Sequence, residues 1–127
     1  MNNRQKGLQY VREVKKILER EGFIIDGPFY RPIFIHGKSS AVHSDLFGVF
    51  DLVAFFPANK MFSFHQVSLD ERRAEKIKAI LNMGMFGFFW GRGIENRRVY
   101  YKKYIIEPEL DYEIIIQTAN FYFIKGD

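Results

Sequence analysis

Between residues 4 and 21 the apolar positions recur at Leu8, Val11, Val14 and Leu18, with Tyr10 and Ile17 alongside, on a largely charged background. Three-and-four spacing of this kind predicts an amphipathic helix over 4–21, stopped by Gly22. Residues 23–25 follow as a short strand closed by Gly27-Pro28. Residues 30–35 form a second extended piece that runs into a loop, Gly37-Lys38-Ser39-Ser40. The segment 46–56 is almost wholly apolar except for Asp51 and reads as a buried strand. The turn Pro57-Ala58-Asn59-Lys60 separates it from 61–68, where Phe62, Phe64 and Gln66 share one face and Ser63, His65 and Val67 the other. The two strands predict an antiparallel hairpin. Asp70 is placed to cap a helix over 70–82, with Glu71 in its first turn and Ala74, Ile77, Ile80 and Leu81 as its apolar side. Strands at 85–90, 97–106 and 113–124, the last interrupted, complete the pattern. The expected fold class is α/β, a mixed central sheet with helices packed on it.

A chain of 127 residues with 47% hydrophobic and 17% aromatic content builds one domain, 1–127, with a core that needs no metal or disulfide staple. The absence of cysteine excludes disulfides, thiolate zinc sites and cysteine nucleophiles. No apolar run approaches the length of a membrane span, and the N-terminal segment is charged throughout, so an intracellular, cytoplasmic protein with no membrane partner is expected. The net charge of +4 is uneven: residues 104–127 hold one basic residue against five acids, whereas the first 103 residues hold 18 basic and 10 acidic ones. A basic body suits a polyanionic partner, and it is equally what ordinary solvated helix faces look like.

The most informative stretch is His43-Ser44-Asp45-Leu46-Phe47-Gly48-Val49-Phe50-Asp51-Leu52-Val53-Ala54. A carboxylate inside a buried apolar strand is costly unless it is paired, hydrogen-bonded or on a metal, and Asp51 is that carboxylate. Across the turn, Gln66 and Ser68 stand two apart and point to one side. An acid facing such a pair can hold a divalent cation beside a phosphate; the alternative is that Asp51 and Gln66 satisfy backbone groups at a strand bend. His36, His43 and His65 could join Asp45 and Asp51 in a mononuclear metal site, although none has diagnostic ligand spacing. His43 could instead lie near a phosphate as a hydrogen-bond donor. Lys38 and Ser40 in the predicted loop are candidate phosphate contacts, as are Arg98 and Lys102, which share a strand face with Tyr100. The aromatic run 86–90 fits core packing better than base stacking.

Three pieces carry a resemblance to the PD-(D/E)XK nuclease superfamily and, within it, to the archaeal Holliday junction resolvase branch. Lys6-Gly7-x-Gln9-x-x-Arg12-Glu13-Val14, continuing to Leu18-Glu19 and Gly22-Phe23, resembles the first helix of that family. Asp51-Leu52-Val53-Ala54 resembles its metal-binding strand, and Phe64-His65-Gln66-Val67-Ser68 stands where its second acid and its lysine occur. Small phage and prokaryotic relatives with a QVT-type motif and a following basic helix are more similar still. The resemblance spans roughly residues 6–82 and rests on the order and spacing of short motifs.

It implies a restriction-endonuclease-like fold and a metal-dependent DNA endonuclease, with Mg²⁺ or Mn²⁺ as cofactor and DNA, branched DNA included, as partner. Of the four expected groups only Asp51 is unchanged. The helix-one glutamate position falls on Val11, the second acid on Gln66 and the lysine on Ser68. Gln66 can lend one carbonyl oxygen to an ion but no charge, so Asp45 or the substrate phosphate has to supply what is missing. Lys76, or Lys78 beside it, can stand in for the lost ammonium. The competing expectations are a degraded relative that binds nucleic acid without cutting, and a structural interaction module. Related resolvases work as dimers, and the apolar C-terminal strand at 113–124 offers an edge for pairing, so a homodimer is expected.

Overall fold

The sequence periodicity of the first helix carries straight into packing. In a computed structural model of the chain, which describes residues 2–108 and 114–124, α1 spans Asn3–Arg20 and buries Val11, Val14, Ile17 and Leu18. Asn2 and Gln5 cap its start reciprocally, the Asn2 side chain accepting from the Gln5 N–H and the Gln5 side chain from the Asn2 N–H. Gly22 ends it with φ +98°, which lets the Phe23 N–H reach back to the Leu18 carbonyl at 3.2 Å.

The strands are β1 (Ile24–Asp26), β2 (Tyr30–Ile35), β3 (Lys38–His43), β4 (Leu52–Phe56), β5 (Met61–Leu69), β6 (Gly87–Glu95), β7 (Arg98–Pro108) and β8 (Ile114–Ile124), with α2 (Arg73–Asn82) between β5 and β6. Six of them form one mixed sheet in the order β1-β4-β5-β6-β7-β8, while β2 and β3 make a separate two-stranded ribbon. All neighbours are antiparallel except β5 and β6, which run parallel because α2 carries the chain back between them.

Alternation along the strands sends successive side chains to opposite faces, and each face has its own core. Under α1 lie Leu52, Val67, Trp90 and Tyr101. Under α2 lie Phe50, Phe89, Tyr104 and Ile106. The helices therefore cover opposite faces. Two glycines in β6 are set by close approach: a Cβ on Gly91 would run into Asp70, and one on Gly93 into the Tyr100 ring. Among the described residues no helix is long and apolar enough to cross a membrane.

Several boundaries differ from the sequence expectation. The first half of the predicted strand 46–56 is a tight turn, and β4 begins only at Leu52. The predicted loop 37–40 is mostly strand: Ile35 pairs with Lys38, so His36 and Gly37, both at positive φ, make a two-residue hairpin turn and β3 starts at once. Asp70 caps nothing. The chain enters α2 through a 3₁₀ turn at Asp70–Arg72, and the Asp70 carboxylate instead accepts the Tyr104 hydroxyl at 3.0 Å. Strand β6 runs on to Glu95, because a second two-residue turn at Asn96 and Arg97 joins it to β7. The acids Glu109, Asp111, Glu113 and Asp127 lie outside the described residues.

His65 is buried on the α1 face, where its Nδ1 accepts the Trp90 indole N–H at 2.9 Å. Burial, with the charge of Lys103 second, lowers its pKa from 6.5 to about 3, so the folded ring stays neutral where the unfolded ring takes up a proton. A depressed folded value contributes stability that is full above the unfolded pKa of 6.5 and is lost progressively as the pH falls from there through the folded value of about 3. Urea unfolding should therefore show the wild type losing about 2 kcal/mol relative to His65→Gln between roughly pH 7 and 5; parallel profiles would show that this ring carries no such linkage.

Candidate metal centre

The turn that replaces the first half of the expected strand builds the site. Phe47 and Gly48 adopt φ of 56° and 73°, and Leu46 and Phe50 exchange backbone hydrogen bonds at 2.7 and 2.9 Å. The chain doubles back, so that Asp45 and Asp51 emerge side by side. Phe50 plugs the core under α2 and fixes the turn from below. Asp51 is then tied twice to β5: its N–H donates to the His65 carbonyl at 2.8 Å, and its Oδ2 accepts the Val67 N–H at 2.7 Å. His43 arrives from the end of β3, with its ring edge-on to Tyr30.

His43 Nε2 lies 3.3 Å from Asp45 Oδ1 and 3.8 Å from Asp51 Oδ1. One ligand atom from each of the three residues falls within 4.8 Å of the others. His43 Nε2 and Asp45 Oδ1 are close without hydrogen-bond geometry, and both, together with Gln66 Oε1, are buried atoms without a hydrogen-bond partner. Buried polar atoms are rarely left so. Burial, reinforced by the neighbouring charge of Asp45, pushes Asp51 from 3.8 up to about 8, against the lowering effect of the Val67 N–H.

These groups open into a cleft of about 210 Å³ lined by His43, Asp45, Asp51, Gln66, Ser68 and Lys76. All five residues proposed from sequence for the centre (Asp45, Asp51, Gln66, Ser68, Lys76) thus line one cavity. Lys76 is close enough for its charge to act on Asp51, whereas Lys78 is exposed and outside the lining. Val11 also lines the cleft, while Glu13 faces Tyr101 and Arg92: it accepts the Tyr101 hydroxyl at 2.5 Å and lies 3.9 Å from the Arg92 guanidinium.

Of the three histidines, only His43 joins the acids. His36 sits at the exposed ribbon tip and His65 in the core under α1. The candidate nucleic-acid contacts lie outside the cleft. Lys38 and Ser40 are exposed on β3, on the ribbon face opposite to that of His43; Arg98 and Lys102 are on β7, where the Lys102 ammonium lies over the Tyr100 and Phe121 rings. Arg4 and Arg72, which the sequence reading did not single out, are in the lining. The helical spacing of Arg4, Gly7, Leu8 and Val11 was the available signal for the first, since these share one face of α1.

No protein-family model, curated protein or solved structure matches the chain at a significant level. The donor chemistry therefore has to be judged from the chain itself. His43, Asp45 and Asp51 are a group that could hold a metal ion, and three buried donor atoms there, His43 Nε2, Asp45 Oδ1 and Gln66 Oε1, have no hydrogen-bond partner.

Without an ion, the raised Asp51 value means that the folded chain holds this proton more tightly than the unfolded chain does. That stability is complete below pH 3.8 and is lost as the pH rises through about 8. In chelator, the wild type should lose roughly 3 kcal/mol relative to Asp51→Asn between about pH 5 and 8 in urea unfolding. Identical profiles would place Asp51 in a more polar setting than this.

Proposed function

We propose that the protein is a metal-dependent endonuclease of the PD-(D/E)XK kind, acting on DNA. The observation that carries this reading is the convergence of Asp51, Asp45 and His43 with Gln66, Ser68 and Lys76 in one cleft, with ligand atoms left buried and unpaired. Asp51 is the central ligand, held rigid by the Val67 N–H on one oxygen and free to present the other. Asp45 supplies the charge that Gln66 lacks, and His43 adds a nitrogen donor. A divalent ion held there would lower the pKa of a water molecule and offset the charge that develops on a phosphate.

Lys76 replaces the ammonium missing at Ser68. It reaches the cleft from α2, and its positive charge favours the same anionic species that the dication does. Arg4 and Arg72 at the rim suit the phosphates that flank a scissile bond. The ribbon residues Lys38 and Ser40, and the β7 strip of Arg98 and Lys102, extend the basic surface beyond the cleft. The same reading pairs two copies along β8, the longer open edge of the sheet.

A second reading is favoured by Gln66 and Ser68 themselves: a relative that keeps the fold and binds nucleic acid without cutting it. Labelled four-way junction, linear duplex and single strand, incubated with the protein in Mg²⁺ and in Mn²⁺, separate the two. The endonuclease reading expects cleavage that is abolished in Asp51→Ala and reduced about a hundredfold or more in Lys76→Ala. A mobility shift with no cleavage in either metal would establish the binding-only reading. Neither shift nor cleavage would remove DNA as the partner.

A further inference from the structure

A second cavity, of about 450 Å³, lies at the other end of β5. The pairing of β5 with β6 begins at His65 and Phe88, so residues 61–64 extend past the start of β6 and leave a gap beside it. Its walls are largely aromatic: Phe23 and Phe56 meet at 4.9 Å between ring centroids, and Phe86 and Phe88 at 5.8 Å. Phe62 and Phe86 are 65% and 51% exposed at this gap.

Three polar residues line this apolar space: the Asn59 side-chain oxygen accepts the Met61 N–H at 3.0 Å, while Ser63 and Lys103 both have a donor to give. An indole N–H can only donate, so the Trp90 contact makes His65 Nδ1 an acceptor and leaves the ring proton on Nε2. That proton is donated to Ser63 Oγ at 2.7 Å. The serine hydroxyl proton is thereby left over, and among the described residues no acceptor takes it. The Lys103 ammonium lies over the Phe88 and Trp90 rings, at 4.9 and 5.3 Å from their centroids. Among the described residues no carboxylate comes within ion-pair distance of it; Glu21, whose charge reaches it, is engaged by the Tyr122 hydroxyl. Burial holds the lysine below its usual pKa, the mark of a cation short of water and of an anion.

We propose that this cavity binds a small aromatic monocarboxylate, its ring among Phe23, Phe56, Phe86 and Phe88 and its carboxylate on Lys103 and the Ser63 hydroxyl. The volume is that of a small-ligand site with an apolar lining and few polar groups to fix orientation. One ammonium and one hydroxyl match a single negative charge; a phosphate dianion would be left with buried, unpaired oxygens. The site lies away from the metal cleft and does not depend on the endonuclease reading.

The test uses calorimetric titration of the full chain at neutral pH with three probes of one ring system: naphthoate, naphthalenemethanol and naphthylmethylammonium. Naphthoate should bind saturably and about tenfold or more tighter than the alcohol, with no detectable binding of the amine. Lys103→Met, which keeps the side-chain stem over Phe88, should bring naphthoate down to the level of the alcohol. Ser63→Ala should weaken it severalfold, and Asp51→Asn should leave it unchanged. Equal binding of all three probes, or no saturable binding of naphthoate, would overturn the assignment. So would tight naphthoate binding by Lys103→Met. The comparison among probes is made on the wild type, so it stands even if a variant fails to fold.

Discussion

One hydrogen bond fixes the geometry of the candidate centre: the Val67 N–H donating to the Asp51 carboxylate at 2.7 Å. It joins the start of β4 to the interior of β5 and holds a carboxylate at the mouth of the cleft in a setting that is 6% exposed. A single N–H does not repay the desolvation of a charged carboxylate, which is why burial raises the Asp51 pKa despite it. The rest of the cleft reads as the answer to that cost. His43 and Asp45 lie on one side and Lys76 approaches from α2, so a dication would meet groups already assembled around a carboxyl whose burial one N–H and the Lys76 charge do not offset.

The two-faced sheet makes this arrangement possible. Because α1 and α2 cover opposite faces, the strand ends between them are where polar groups can collect without breaking either core. The α1 face also shows why Glu13 is absent from the cleft despite lying in the helix that the resemblance highlights. Its carboxylate accepts the Tyr101 hydroxyl, and the Arg92 guanidinium lies near it while stacking 4.3 Å over the Tyr10 ring. Glu13 anchors the helix to the sheet, and Val11 occupies the position that looks into the cleft.

Much of this was legible in the sequence. The spacing of Val11, Val14 and Leu18 marked the buried stripe of α1, and the run on either side of the Pro57–Lys60 turn marked the β4–β5 hairpin, with Asp51 singled out by its apolar neighbours. The segment 46–50 was not legible. Leu46, Phe47, Val49 and Phe50 have the hydrophobicity of a strand, and Gly48 alone hints at a turn. As a strand, this stretch would hold Asp45 and Asp51 about 20 Å apart; as a turn, it brings them together with His43. The sequence offered His43 beside Asp45 and Asp51 only as one of three histidines, since its proximity to Asp51 depends on that reversal and not on any local spacing. The chemistry of Ser63 and Lys103 was hidden differently: it follows from the parallel register of β5 and β6, which hydrophobic pattern does not specify.

The central claim is that His43, Asp45 and Asp51 form one divalent-ion site, and the most direct measurement is anomalous diffraction from crystals soaked in Mn²⁺. The account predicts a single anomalous peak in contact with Asp51, shared with Asp45 and His43, that is absent in crystals of Asp51→Asn. A fully occupied peak elsewhere with none in this cleft, or a peak that survives the substitution unchanged, would contradict it.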